Sequence, residues 1–169
     1  MKKVIVAGVS AGAGKSTFAK NIGKRLDISV HHLDSYYWKP GWIETESQEF
    51  KDAQHQLVAG DTWIIEGNYA SSMEIRLAEA DTFIYLELPL RVCLYRVLMR
   101  WIKNHGKTRP DMAAGCPEKM DKEFLKFIVT TYAARKLAMR QRAIDFQASG
   151  INRKSIILQS QKQIDGFFK

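Results

Sequence analysis

Gly8-Val9-Ser10-Ala11-Gly12-Ala13-Gly14-Lys15-Ser16-Thr17 is the stretch of this chain whose residue types and spacing most clearly carry chemistry. Glycines let successive backbone N–H groups turn inward around a phosphate chain, and a helix that follows presents the positive end of its dipole to the same anion. Lys15 then reaches the β- and γ-phosphates of a nucleoside triphosphate, and the Ser16 hydroxyl is placed to ligate Mg2+. Ser10, Ala11, Gly12, Ala13, Gly14, Lys15, Ser16 and Thr17 are therefore the candidate nucleotide-binding residues. The pattern G-x-x-x-x-G-K-[ST] is broken once. It asks for glycine where Val9 stands, with Gly8 one residue early, which predicts a slightly longer backbone arc. The competing reading is a small-residue turn between a strand and a helix.

Two carboxylates join this loop if the elements around it fall as their patterns suggest. Lys3 to Val9 is a β-branched run that reads as a buried strand, and Ser16 to Leu26 has the apolar spacing of an amphipathic helix. Ile28 to Leu33 reads as a second strand ending at Asp34, and Trp63 to Glu66 as a third closed by Gly67-Asn68. Between them lie an aromatic loop, Ser35 to Thr45, and a helix from Glu46 to Val58 with Thr45 and Gln48 in capping-box spacing. Ser71 and Glu74 repeat that spacing before a helix reaching Ala80. A fourth strand at Thr82 to Leu88 follows, then helices Arg91 to Lys103 and Lys122 to Ala148, a strand Ser155 to Leu158 and a helix Gln161 to Phe168. In the long helix Phe124, Phe127, Ile128, Leu137 and Ile144 are read as core. Alternating strands and helices predict an α/β fold: a three-layer arrangement with a central five-stranded parallel sheet. Glu66 and Asp34 then sit at strand ends beside the phosphate loop, with Glu66 the first choice to hold the metal. A loop-capping role is the plainer alternative for each.

Composition bounds the class. The chain has 169 residues, 46% of them apolar, a formal net charge of +8 and two cysteines. That favours one globular domain over residues 1–169 and excludes disulfide-rich secreted and fibrous classes. The apolar run Val4 to Val9 is too short for a signal peptide or a membrane span, so a soluble cytoplasmic protein is expected. The charge is uneven: 15 Lys+Arg face 5 Asp+Glu between Arg91 and Lys154, against 11 and 13 elsewhere. A polyanion partner, or a set of solvated helix faces, accounts for such a split.

The phosphate loop, Asp34 after strand two and Glu66-Gly67 after strand three resemble the adenylate-kinase-like P-loop kinases. His32-Leu33-Asp34, Trp38-Lys39-Pro40-Gly41-Trp42, Ile65-Glu66-Gly67-Asn68-Tyr69 and Arg109-Pro110-Asp111 are closer still to the bacterial DNA topology modulation proteins. The resemblance covers nearly the whole chain. It implies the nucleoside-monophosphate-kinase fold of the P-loop NTPases, with ATP and Mg2+. In it, Lys15, Asp34 and Arg109 are the candidate catalytic residues, and Ser16 and Glu66 the metal pair. Asp34 would hold the metal or orient the acceptor. Arginines after strand four and in a lid close on ATP in the resembling kinases. Arg109, in the lid-like loop 104–121, is the first candidate here, with Arg100 among the nucleotide-binding residues and Arg135 behind it.

The acceptor is less defined. An arginine that follows strand three in those kinases is missing from Glu66-Gly67-Asn68-Tyr69-Ala70, so a phosphate-bearing acceptor has few partners. The expected activity is transfer of the γ-phosphoryl group to a small molecule: a nucleotide, a nucleoside or an unrelated hydroxyl compound. The competing reading is a nucleotide-binding regulator of DNA topology that binds nucleic acid through its basic half, although no nucleic-acid-binding motif is present. A membrane partner is not expected, and the oligomeric state is not written in the pattern. Tyr36 to Trp42 would stack on a ring of the acceptor or pack as a cover. His31 and His32 alternate on a strand, and Cys116 has no second cysteine nearby, so neither suggests a metal centre.

Overall fold

The computed structural model describes residues 1–118 and 120–169. Strand β1 (Lys3–Gly8) is β-branched and buried along Val4 to Gly8, as expected of a strand covered on both faces. With β2 (Val30–His32), β5 (Trp63–Glu66), β6 (Thr82–Leu86) and β7 (Lys154–Leu158) it forms a parallel sheet of order β2-β5-β1-β6-β7. The registers set Val6 opposite Glu66 and His32 opposite Glu66. One level at the C-terminal edge of the sheet therefore carries both polar side chains.

Parallel neighbours need crossovers, and right-handed crossovers divide the helices between the two faces. Helix α1 (Lys15–Leu26) packs on β1, β2 and β5, and the terminal α7 (Gln161–Phe167) reaches it through Phe18, whose ring meets Phe167 and Phe168 at 5.2 and 5.0 Å. Helices α3 (Ser47–Val58) and α4 (Met73–Glu79) pack together, with α4 on β1. Helix α5 (Leu90–Asn104) lies against α6 (Lys122–Ala148), which covers β6 and β7. Among the described residues no helix is long and apolar enough to cross a membrane.

Three local expectations need correction. Residues 35–45 are not an open loop: a one-turn helix α2 (Asp34–Tyr37) leads into a hairpin of β3 (Trp38–Lys39) and β4 (Ile43–Glu44). Neither capping box forms. The Thr45 hydroxyl donates instead to the Tyr36 carbonyl, and Ser71 is drawn into a 3-10 turn, Ala70–Ser72, where the neighbouring Ser72 hydroxyl meets the buried Gln54 amide at 2.8 Å. The core face of α6 is Ile128, Met139, Ala143 and Phe146, while Phe127, Leu137 and Ile144 are exposed. Apolar residues occur on every side of this helix among charged ones, so periodicity cannot choose its inner face.

Phe18 is 2% exposed and joins α1 to the chain's last helix. Phe18→Ala should cost about 3–5 kcal/mol, read as a lowered urea midpoint at unchanged slope. A loss under 1 kcal/mol would mean that α7 contributes little to this face.

Candidate active site

The phosphate loop begins as an extension of β1. Val9 is fully buried and its N–H donates to the Leu86 carbonyl at 2.9 Å, so its side chain belongs to the core rather than to the loop. Gly8 does the work expected of the displaced glycine. A Cβ there would stand 2.7 Å from Lys15 Cγ, because the lysine stem folds back across it. Gly12, at φ 77°, passes so close to the start of α5 that a Cβ would lie 2.1 Å from the Cys93 carbonyl oxygen. The turn is closed by Ala13 N–H on the Ser10 carbonyl, and Arg96 donates to the Ala13 carbonyl from behind. Ala11 and Thr17 line the same stretch, Thr17 exposed on the first turn of α1.

Glu66 links this loop to the sheet. Its side chain is nearly sealed from solvent, yet Oε2 accepts from Ser16 Oγ at 3.2 Å and from His32 Nδ1 at 2.9 Å, while Oε1 lies 3.8 Å from Lys15 Nζ. Burial favours its protonated form, but the His32 bond, the Lys15 ammonium and the Ser16 hydroxyl outweigh burial and hold its pKa below the ordinary value.

The three residues after Glu66 each hold another part of the edge. Gly67 adopts φ 146° and packs on Leu33, where a Cβ would meet the Leu33 Cβ at 2.9 Å. Asn68 pairs its amide with the backbone of Gly8, accepting at 3.0 Å and donating at 2.7 Å. Tyr69 donates its hydroxyl to Asp34 Oδ1 at 2.6 Å. Burial, and then the nearby Glu66 charge, raise the Asp34 pKa; the Tyr69 bond, Lys15 and Arg109 work against that rise. An acid of raised pKa among cations is suited to taking a proton from a bound hydroxyl.

Residues 105–118 fold back toward the loop, with Asp111 beside α1. Arg109 Nη1 donates to Asp111 at 2.7 Å, and its Nε stands 2.6 Å from Glu118, close in charge although the N–H is not aimed at the oxygen. Arg100 Nε donates to the same Glu118 at 2.9 Å. Asp111 also lies 3.9 Å from Lys20 on α1. Burial raises the Asp111 pKa, but Arg109, the Ser16 hydroxyl and Lys20 bring it below the ordinary value. The hairpin β3–β4 meets this segment: Gly41 N–H donates to the Gly115 carbonyl, and the Cys116 thiol to the Lys39 carbonyl.

Lys15, Ser16, Glu66, Asp34, Arg100 and Arg109 thus gather at one edge of the sheet. Arg135 does not; its guanidinium lies over Phe127 of its own helix at 4.4 Å. The aromatic segment is spent on packing. Tyr37 joins Phe50 and Tyr69, and Trp38 meets Trp42, with centroids 4.7 to 5.3 Å apart. Sequence reasoning missed His32, Asn68, Tyr69, Arg76, Asp111 and Glu118 as parts of this edge. Asn68 and Tyr69 carried a signal, since they directly follow a strand-end carboxylate.

No family model matches the chain. An uncharacterized protein, YqaC, of Bacillus subtilis (strain 168) is 25% identical over 146 residues, 85% of this chain and 80% of the relative. A gluconokinase from Sinorhizobium meliloti 1021 superposes with a TM-score of 0.55 at 13% identity, over 99% of this chain and 87% of its own. An unliganded sugar kinase from Janibacter sp. HTCC2649 gives 0.54 at 14%, over 99% and 90%. A shikimate kinase from Acinetobacter baumannii in complex with shikimate gives 0.52 at 13%, over 98% and 88%. With the five-stranded parallel sheet, these likenesses show that the chain shares the α/β fold of these kinases.

Gly12→Ala should cost about 2 kcal/mol or more, since it adds both a clash and a strained φ. Gly166→Ala in α7, with nothing within 4 Å, should be neutral or stabilising. Thermal unfolding of both variants separates the two sites, and equal shifts would count against the close approach at Gly12.

Proposed function

We propose that this chain is an ATP- and Mg2+-dependent kinase that transfers the γ-phosphoryl group to a hydroxyl of a small acceptor bearing no phosphate. The observation that carries this reading is the Glu66 carboxylate shared by Lys15 and Ser16 at the head of the glycine loop, with Asp34 beside it. Lys15 and the loop N–H groups hold the triphosphate. Ser16 and Glu66 supply hard oxygen donors of the kind Mg2+ prefers, Gly8 leaves room for the Lys15 stem, and Gly12 lets the loop pass close to the start of α5. The bound metal would neutralise charge on the phosphoryl oxygens. Asp34 takes the proton of the acceptor hydroxyl, whose oxygen bonds the γ-phosphorus as the bond to ADP breaks. Arg100 and Arg109 stand ready on Glu118 and Asp111 to meet phosphate oxygens. Residues 1–169 are read as a single kinase unit with 104–121 as its lid.

The cations of the acceptor arm favour an acceptor without phosphate. Between Leu26 and Leu90 the sole arginine is Arg76, buried and bonded to backbone carbonyls, and Lys39 is paired with Glu49 at 2.8 Å. Gluconate, shikimate and sugars, named in the structural relatives, are polyhydroxyl compounds. No observation favours a nucleic-acid partner. Arg96, Arg140 and Arg153 of the basic half are engaged within the chain.

Coupled ADP release with MgATP and a panel of D-gluconate, shikimate, D-glucose, AMP and deoxyadenosine tests this. Turnover is expected with a hydroxyl acceptor and not with AMP. Lys15→Ala and Asp34→Asn should each lower it about 100-fold or more. Turnover across the whole panel no faster than hydrolysis by water would sink the reading, as would full activity in Asp34→Asn.

The raised pKa of Asp34 gives two further outcomes. Turnover should fall on the acid side at a pH above the ordinary aspartate value of 3.8, because the base must be ionised. The ionised form is also disfavoured by folding. Asp34→Asn should therefore raise the melting temperature at pH 7, and that gain should fade as the pH falls through the raised Asp34 value and be gone below 3.8, where both folded and unfolded wild-type chains are protonated. A lower melting temperature at pH 7 would contradict this electrostatic account.

A further inference from the structure

Arg76 is the most costly polar residue in the fold. Its side chain is fully buried on α4, it has no carboxylate partner, and its Nε has no hydrogen-bond acceptor among the described residues. Burial, and then the Arg142 charge on α6, bring its pKa down to about 9, against the opposing influence of Glu66 and Tyr69. A buried cation with no counter-charge is expensive, and the same volume filled by methionine or leucine would pack without that penalty.

What the guanidinium touches explains its presence. Nη1 donates to the Gly67 carbonyl at 2.8 Å and Nη2 to the Tyr69 carbonyl at 3.0 Å. A planar fork with two donors in fixed relation can bridge two carbonyls two residues apart; an ammonium cannot hold both in one geometry. Between those carbonyls stands Asn68, already tied to Gly8 by its own amide. Beyond them the Tyr69 ring packs on Tyr37 and Phe50, and its hydroxyl reaches Asp34. The nucleotide side of the turn thus has an independent anchor. The acceptor side depends on where the Tyr69 backbone is held.

We propose that Arg76 is a positioning residue for the acceptor side: by gripping the carbonyls of Gly67 and Tyr69 it aims the Tyr69 hydroxyl at Asp34 and so sets where that carboxylate stands. This rests on the reading of Asp34 as the acceptor-side base. The residue touches neither nucleotide nor acceptor. It works through the backbone of a turn, from beneath.

The Tyr69 phenol reports on this directly. It is buried, it donates to Asp34, and Tyr37 and Glu66 add to the same effect against the opposing Arg76 charge, so its ionisation is pushed well above the ordinary phenol value. In protein labelled at tyrosine Cζ, six signals are expected, and Tyr69→Phe identifies the one that matters. In the wild type that signal should not move through pH 11. In Arg76→Met it should titrate at a lower pH than in the wild type, because the Asp34 bond is lost while burial persists, and in Arg76→Lys, which keeps a buried donor, between the two. Asp34→Asn should also lower it. MgATP affinity by calorimetry should change less than about twofold in both Arg76 variants, because Asn68 keeps its hold on Gly8.

A Tyr69 signal unmoved in both Arg76 variants would overturn the assignment, as would MgATP affinity falling in step with the phenol shift. If Arg76→Met does not fold, Arg76→Lys alone decides. The phenol readout needs no turnover. A chain that binds MgATP and phosphorylates nothing overturns the kinase reading and leaves this measurement standing.

Discussion

A carboxylate that is 3% exposed must find partners or give up its charge, and Glu66 keeps its charge by drawing on three residues from two neighbouring elements. His32 comes from the neighbouring strand at the same register level, Ser16 and Lys15 from the first turn of α1. The geometry of the loop follows from that constraint. For Lys15 to lie beside a residue on β5, its stem must cross the end of β1, and only a residue without a side chain leaves room there. Gly8 occupies that place, which is why the motif tolerates Val9 one position later. Val9 in turn can be a core residue, because the extended backbone continues to β6 through its N–H. The apparent defect in the motif is a one-residue redistribution of two jobs: passage for the lysine and filling of the core.

The same edge is extended by the turn at 67–69, where consecutive residues serve different neighbours. Residues two apart on an extended strand share a face, so Glu66 and Asn68 can both serve the phosphate loop, and the turn that follows β5 has to bring Tyr69 to Asp34. Gly67, at φ 146°, bends the backbone at the start of that turn. Once the direction is set, Asn68 closes on Gly8 and Tyr69 swings toward Asp34 on α2. Nucleotide-side and acceptor-side groups are therefore coupled covalently through four residues of one chain segment, with Arg76 beneath it.

Parts of this were legible in sequence and parts were not, for physical reasons. The phosphate loop could be read because its chemistry is local: the glycines, Lys15 and Ser16 lie within nine residues and act through backbone conformation. The central strands β1, β5 and β6 could be read because both-face burial writes itself as short apolar runs, and the half-buried edge strands β2 and β7 were legible from their place between helices. Glu66 and Asp34 followed from their places at strand ends. Asp111, Glu118 and Arg76 could not, because nothing near them in sequence tells which distant backbone or charge they will meet. Asp111 reaches Lys20 across 91 positions, and Arg76 looks like an ordinary helix-surface arginine until the fold turns it inward. The inner face of α6 was unreadable for the opposite reason. Its signal was present on every side.

The excess of positive charge looks different once its partners are known. Lys15, Lys20, Arg100 and Arg109 face Glu66, Asp111 and Glu118, and Asp34 lies alongside. Cations and carboxylates are nearly balanced there, so the edge is not an open basic hollow that would hold any polyanion. An anion entering it must replace a carboxylate on an arginine, or bring a cation of its own to sit among the acidic groups. The Mg2+ chelate of a triphosphate does both: its phosphate oxygens suit Arg100 and Arg109, and its metal suits Ser16 and Glu66. A nucleic-acid backbone satisfies the first condition and not the second. For the ligand we propose, the balance of charge at the edge, rather than the net charge of the chain, is the selecting feature.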